Sequence, residues 1–186
     1  MSELCFIPKG TLLYRCSTNV HSYETRLCND TGKIGLYFGY PAIISLAMCV
    51  EHDKLLEFGI FRTKKDMYIH PGKYSFRNIL PHKYWTSEGK FIPNVFPEPI
   101  ENIDHLDCIY PLNSDQQPLL PEHIEAKVRP IEIFLTDPIN CVELIESYKF
   151  SDKVANASEL LKYMQENDFP FDEKKYIDDQ ILVELI

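Results

Sequence analysis

The stretch IGLYFGYPAIISLAMCVEHDKLL, residues 34–56, contains the two patterns from which we predict the fold. Residues 34–38 form a short apolar run with two aromatic side chains, which is typical of a β-strand. Pro41 then precedes a dense apolar run over residues 42–56, and proline is favourable in the first turn of an α-helix. We therefore predict a strand that is followed at once by a largely buried helix.

Further strands are predicted on both sides of this stretch. Short apolar or alternating runs indicate strands at residues 11–16, 57–62 and 128–136, and a further short apolar run lies at residues 108–111. Pro130 favours an edge position, or the start of a strand, for residues 128–136. The final segment, residues 176–186, ends in ILVELI and fits either a strand or a helix.

Two more helices are expected in the last third of the chain. Residues 139–150 are predicted to form a short helix. Asn156 and Ser158 are both favourable N-cap residues for a helix that reaches about residue 165.

Polar and irregular segments separate these elements. A tight turn is expected at residues 29–32, and the Pro71-Gly72 pair predicts another within residues 63–78. Residues 79–105 are rich in aromatic side chains and proline, and we expect a long surface excursion there.

Together, these patterns predict the α+β class, because strands come both before and after one central helix. We expect a single compact domain over residues 1–186, with small mixed or antiparallel sheets and a buried helix after the second strand. The core is predicted at about residues 10–138, and a C-terminal helical extension at about residues 139–186. A length of 186 residues and a hydrophobic fraction of 45% are sufficient for one such core.

The charge of the chain argues against nucleic acid as a partner. The formal net charge is -9, and the densest basic cluster contains only Arg62, Lys64 and Lys65. A phosphate backbone would be repelled by such a field.

The cysteines and the N-terminal sequence favour a cytoplasmic location. The six cysteines form no CxxC pair, and no signal-like apolar run follows basic residues at the N-terminus. We expect reduced thiols, although the even count leaves disulfides open. No apolar window reaches the length of a membrane span.

The motifs of several common enzyme classes are missing. The chain has no GxGxxG, no GxxxxGK[ST], no HExxH and no GxSxG sequence, and its six histidines are scattered without metal-ligand spacing. No metal site is predicted. A Cys-His nucleophile stays open, because such partners are often distant in sequence.

Three segments, taken in order, resemble the RES-domain family of NAD-degrading toxins, which are related to ADP-ribosyltransferases. Leu13-Tyr14-Arg15 resembles the family's "YR" strand end, and residues 26–38 (RLCNDTGKIGLYF) resemble its "R-x-x-N-x-x-G" run into "LY". An apolar helix with Ser45 and Glu51 follows. Residues 110–114 (YPLNS) and 134–138 (FLTDP) are similar to later segments of the family, so that the resemblance covers about residues 10–138.

A second resemblance points to the same superfamily. Residues 35–39 (GLYFG), with Ser45 on the following helix, are similar to the tyrosine segment of poly-ADP-ribose polymerases. Residues 132–137 (EIFLTD) are similar to their glutamate-bearing strand. Those enzymes carry a histidine where this chain has Arg15.

These resemblances imply an enzyme that consumes NAD, by ADP-ribosyl transfer, with a protein as one type of acceptor, or by hydrolysis. The reaction needs a carboxylate near the ribose, where it stabilises the positive charge that develops. The two resemblances nominate different residues for this role, Glu51 and Glu132. Arg15 and Arg26 are the candidates for the diphosphate, since the guanidinium is a planar donor fork that is always charged. Tyr37 would stack on the nicotinamide ring. Ser45 and Ser114 would form hydrogen bonds with the nicotinamide carboxamide or with a ribose hydroxyl.

Five of these residues also have a purely structural interpretation. Arg15 would pair with one of the 28 carboxylates, and Tyr37 would be an ordinary strand aromatic. Ser45 would bond its own helix backbone. Glu51 would be the polar end of the helix, and Glu132 would face solvent by alternation along its strand.

Two other functions therefore remain open, along with the oligomeric state. One is a binding or regulatory module that has lost turnover. The other is a self-associating structural protein that uses residues 79–105 as its contact surface.

Overall fold

A computed structural model of the chain describes residues 5–27, 32, 34–40, 42–72, 108–111, 131–168, 170 and 172–185. Among these described residues, strands predominate up to residue 111, and helices alternate with strands from residue 131 onward. The elements are β1 (Cys5–Ile7), β2 (Leu12–Ser17), β3 (Arg26–Leu27), β4 (Ile34–Tyr40), α1 (Ala42–Glu51), β5 (Glu57–Thr63), β6 (Met67–Gly72), β7 (Cys108–Pro111), β8 (Ile131–Leu135), α2 (Pro138–Cys141), β9 (Val142–Phe150), α3 (Ala157–Glu166), α4 (Glu173–Asp178) and β10 (Leu182–Glu184).

Most of the described strands belong to one antiparallel sheet. Seven strands form it in the order β10-β9-β5-β2-β4-β3, with β8 also paired to β4. A second sheet has the order β1-β6-β7, in which β6 is antiparallel to β1 and parallel to β7. The predicted α+β class is confirmed. The sheets are predicted to be small and mixed or antiparallel, whereas the antiparallel sheet has seven strands and is large, and the second, three-stranded sheet is mixed.

The predicted buried helix is α1, which packs against β2, β4 and α3. Its described side chains are almost entirely enclosed, because Ala42, Ile43, Leu46 and Ala47 have no exposed surface. A helix that is apolar on all sides belongs in a core rather than at a surface. The largest fully buried side chains of the described core are Tyr176, Phe38, Phe58, Phe61, Phe134, Ile7, Leu13, Ile43, Leu46 and Met67. In the described part of the chain, no helix has both the length and the apolar character needed to cross a membrane.

The predicted end of this helix is wrong by five residues. The helix ends at Glu51, not at residue 56. The Lys54 N–H donates to the Cys49 carbonyl at 3.1 Å, and Asp53 has a left-handed φ of 52°. Such a turn closes the helix end and redirects the chain into β5. Leu55 and Leu56 continued the apolar pattern, but they lead into a strand.

The helix predicted over residues 139–150 is also wrong. Only α2 is helical there, and β9 follows directly as a nine-residue strand. It pairs with β5 on one side and with β10 on the other. The sequence of β9, VELIESYKF, does not alternate regularly between apolar and polar residues, so no strand pattern is evident in it. The pairing of β9 with two neighbouring strands therefore decides its conformation.

The Pro71-Gly72 turn is the third error, because both residues belong to β6. Proline is tolerated in a strand where no ladder hydrogen bond needs its missing N–H. Among the described residues, β1 pairs with Met67, Tyr68 and Ile69 of β6, whereas Pro71 and Gly72 pair with β7.

The C-terminal third joins the same sheet as the core. The segment predicted as a helical extension contains β9 and β10 as well as α3 and α4. The helix to about residue 165 is confirmed as α3, and its N-cap is Asn156, whose Oδ1 accepts from the Glu159 N–H at 3.0 Å. The undecided tail holds the end of α4 and then β10. The turn expected at residues 29–32 and the excursion at 79–105 fall outside the described residues, apart from Gly32.

Candidate functional site

The candidate site lies where two strands of the large sheet separate. The pairing of β2 with β4 contains one residue pair, Tyr14 with Gly39. Beyond it, β2 stays paired with β5 as far as Ser17, whereas β4 pairs with β8 and, at its start, with β3. Beyond this residue pair β2 and β4 diverge, and a cleft lies in the space between them.

This cleft has a volume of about 350 Å³. Clefts of about 300–1,000 Å³ are typical of small-molecule sites. Its lining comes from β2 and the residue after it, from β3 and β4, from α1 and the turn after it, and from Phe134 of β8. The lining residues are Arg15, Cys16, Ser17, Thr18, Arg26, Leu27, Gly35, Leu36, Tyr37, Phe38, Gly39, Ser45, Met48, His52, Lys54, Leu56 and Phe134.

Four of the predicted site residues meet in this cleft. Arg15, Arg26, Tyr37 and Ser45 come from β2, β3, β4 and α1, and all four line it.

The other three predicted residues have less defined positions. Glu132 lies on β8, where its Cα pairs with that of Gly39, and Glu51 is the last residue of α1. Ser114 lies outside the described residues.

Arg15 is a buried charge at the base of the cleft, with 8% of its surface exposed. Its Nη1 donates to the Ser22 carbonyl at 2.9 Å and its Nη2 to Ser17 Oγ at 3.2 Å. No carboxylate in the described part of the chain pairs with it. Burial, and then the neighbouring Arg26 charge, lower the pKa of the Arg15 guanidinium from its ordinary value. The predicted structural role, an ion pair with a carboxylate, is therefore not found among the described residues.

The cleft is cationic in a protein of net charge -9. Lys54 and His52 line it together with the two arginines, and the described lining contains no aspartate or glutamate. The carboxylate of Glu57 is held outside the cleft, where its Oε2 accepts from the Val20 N–H at 2.9 Å. Clustered charge of one sign in a cleft raises the local concentration of ligands of the opposite sign. The arrangement therefore favours an anionic ligand.

One wall of the cleft is aromatic. The rings of Tyr37 and Phe134 lie 4.8 Å apart between centroids, at an interplanar angle of 53°. Tyr37 keeps 38% of its surface exposed, whereas Phe134 is buried. Gly35 makes this packing possible, because a Cβ there would lie 2.7 Å from Phe134 Cζ. The wall offers a flat apolar surface to a planar ligand.

Ser45 connects the helix to the point of strand separation. Its hydroxyl donates to the Tyr14 carbonyl at 2.7 Å, and only 4% of the residue is exposed. The predicted structural role, a bond to its own helix backbone, is thus replaced by a bond to β2. Only the acceptor capacity of the oxygen remains for a ligand.

We expect Ser45→Ala to lower the free energy of unfolding by about 0.5–1.5 kcal/mol, because one buried hydrogen bond is lost. Urea denaturation of the variant measures this change. Ser158→Ala, an exposed substitution on α3, is the matched control and should shift the midpoint little. Equal shifts for the two variants would contradict a role for Ser45 in joining α1 to β2.

Cys16 also lines the cleft and, like Cys49, is a free thiol. Burial and the neighbouring Cys49 raise the pKa of the Cys16 thiol well above its ordinary value. A protonated thiol is a poor nucleophile. Cys16 is therefore not a good partner for His52 in nucleophilic catalysis.

Sequence reasoning missed Met48, His52 and Lys54. Met48 and His52 follow Ser45 by three and seven residues, the spacing of one helix face, so this signal was present. Lys54 gave no such signal, because its position depends on where the helix ends. In the part of the chain that the structure describes, no three His, Cys, Asp or Glu side chains form a group that could hold a metal ion.

Comparisons of the chain with protein-family models, with curated proteins and with solved structures find no match.

Proposed function

We propose that this protein is an NAD-consuming enzyme with an ADP-ribosyltransferase-like fold that breaks the bond between nicotinamide and ribose. Transfer of ADP-ribose to an acceptor and hydrolysis are both open. One observation carries the proposal: four of the residues nominated by the RES-domain resemblance come from four separate segments and line one cationic cleft. Short motifs that occur by chance would not be expected to meet in this way.

The cationic part of the cleft suits the diphosphate. Arg15 is buried and held by two hydrogen bonds, so its fork is fixed before a ligand arrives. Arg26 is exposed on β3 and close enough to affect the pKa of Arg15. A diphosphate between them would relieve their mutual repulsion through charge-assisted hydrogen bonds.

The aromatic wall suits the nicotinamide ring. Tyr37, packed on Phe134, gives a flat surface on which the ring would stack. The Ser45 oxygen has acceptor capacity for the carboxamide NH₂ group.

Glu132 is the catalytic carboxylate that we assign first. Its Cα pairs with that of Gly39, a lining residue, and position 132 precedes the lining residue Phe134 by two on β8. Positions two apart lie on one face of a strand. Glu51 is the second candidate, because it directly precedes the lining residue His52.

In this reaction the main contribution of the protein is electrostatic stabilisation of the positive charge that develops on the ribose. The bond between ribose C1′ and the ring nitrogen breaks, and its electron pair neutralises the nicotinamide. The ribose is left with a positive charge that a nearby carboxylate stabilises until water or an acceptor adds at C1′.

We expect the purified protein to release nicotinamide from NAD. One-dimensional proton NMR over several hours measures this release. Glu132→Gln should slow this release on the order of a hundredfold to a thousandfold, the typical effect of removing one preorganised electrostatic group. Glu51→Gln should have a much smaller effect.

Glu166→Gln, on the exposed surface of α3, is the matched control for both variants. If Glu51→Gln stops release and Glu132→Gln does not, the assignment of the acid moves to Glu51. If the wild-type protein releases no nicotinamide and the NAD signals do not broaden, the proposed function is wrong.

A second candidate is a nucleotide-binding module without turnover. It needs only the cationic cleft and the aromatic wall, both of which the described lining provides. It predicts broadened NAD signals without nicotinamide release. The third alternative, self-association through residues 79–105, involves a segment outside the described residues.

A further inference from the structure

The open end of the cleft carries two basic side chains that the proposed reaction does not use. His52 and Lys54 lie on the turn after α1 and line the same cavity as Arg15 and Arg26. Since Ser17 pairs with Glu57, the turn that leads into β5 lies near the Ser17 end of β2. This is the opposite end from Tyr14, where β2 and β4 meet.

The backbone holds this turn in a fixed shape. The His52 N–H donates to the Met48 carbonyl at 3.0 Å, and the Lys54 N–H donates to the Cys49 carbonyl at 3.1 Å. Between them Asp53 adopts its left-handed φ of 52° and is not part of the cleft lining. The two basic residues therefore start from preorganised backbone positions.

Lys54 is exposed and forms no ion pair with a described side chain. NAD contains one diphosphate and one positively charged ring. Arg15 and Arg26 are sufficient to balance the charge of the diphosphate. The basic side chains of His52 and Lys54 at the open end would therefore attract a further anionic group of the ligand. A phosphate monoester, with about −1.5 to −2 charges at neutral pH, provides one.

We propose that His52 and Lys54 form a subsite for a phosphate monoester, so that the cleft prefers a phosphorylated dinucleotide of the NADP class to NAD. This inference rests on the proposed function, because it assumes that the diphosphate lies between Arg15 and Arg26. A monoester that is part of the nucleotide is favoured over a free phosphate ion, because both groups of cations line one continuous cavity. The bound diphosphate would hold the monoester at a high effective concentration near Lys54.

The test uses isothermal titration of the full chain with ADP-ribose and with 2′-phospho-ADP-ribose. Neither probe contains nicotinamide, so neither is consumed. The phosphorylated probe should bind about tenfold more tightly, as one additional charge-assisted interaction predicts. Lys54→Gln should bring the ratio of the two affinities close to one. Lys149→Gln, an exposed substitution on β9, should leave the ratio unchanged.

A third titration with inorganic phosphate separates the two sources of the anion. Lys54-dependent binding of inorganic phosphate, without a preference between the two nucleotides, would overturn the proposal in favour of a free-anion site. Equal affinities of the wild-type protein for both nucleotides, with no phosphate binding, would also overturn it but leave the proposed function intact. If neither nucleotide binds, the proposed function fails as well.

Discussion

Arg15→Met should weaken the binding of ADP-ribose by at least about a hundredfold while leaving the folded protein as stable as before, or slightly more stable. The loss in affinity follows from two charge-assisted hydrogen bonds to the diphosphate, each of which contributes about 1.5–3 kcal/mol. Truncation of most buried residues would instead lower stability.

The unusual effect on stability follows from the pKa of Arg15. Burial and Arg26 lower this pKa in the folded chain, so the charged form is less favourable there than in the unfolded chain. At neutral pH the charge therefore opposes folding. Methionine removes that cost and fills a similar volume, which offsets the two lost hydrogen bonds to Ser22 and Ser17.

Isothermal titration with ADP-ribose and urea denaturation measure the two effects separately. Arg62→Met is the matched control, because Arg62 is exposed on β5 and pairs with Glu143 at 2.8 Å. It should change stability by less than about 1 kcal/mol and leave binding unchanged. A loss of more than about 2 kcal/mol for Arg15→Met would identify Arg15 as a structural residue instead.

The local elements of this fold were accessible from sequence because their signals are local. The strand at residues 34–38 and the helix after it are continuous apolar runs, and Asn156 is a favourable cap at the start of an amphipathic helix. The end of α1 was missed because Leu55 and Leu56 extend the apolar pattern beyond the turn at Asp53. That turn depends on one left-handed residue, which apolar periodicity does not reveal.

The non-local features could not be derived in this way. The conformation of β9 depends on β5 and β10, and the split between β2 and β4 depends on which neighbour each strand pairs with. Arg15, Arg26, Tyr37 and Ser45 were found through family resemblance and not through any periodicity. Lys54 was missed by both routes, because only the tertiary structure brings the turn after α1 to the cleft.

Gly35→Ala should destabilise the protein by about 3 kcal/mol, the largest effect that we expect from adding a single methyl group. Gly35 has extended backbone on β4, so the cost does not come from its φ angle. The added Cβ would overlap the Leu135 carbonyl oxygen, and it would lie 2.7 Å from Phe134 Cζ. A carbonyl in a strand cannot rotate away like the end of a flexible side chain, so β4 and β8 would have to separate.

That separation would also damage the cleft. Gly35 pairs with Arg26, and Phe134 supports the Tyr37 ring, so displaced strands would move the second arginine and the aromatic wall together. We expect the folded fraction of the variant to bind ADP-ribose about tenfold more weakly.

Gly10→Ala provides the matched control for this experiment. Nothing lies within 4 Å of a Cβ at Gly10, but its φ of +89° makes alanine strained there. Its cost should be about 1–2 kcal/mol with no change in binding. If denaturation shows Gly35→Ala to be no worse than Gly10→Ala, the strands have room to adapt, and the close approach of β4 to β8 does not shape the cleft.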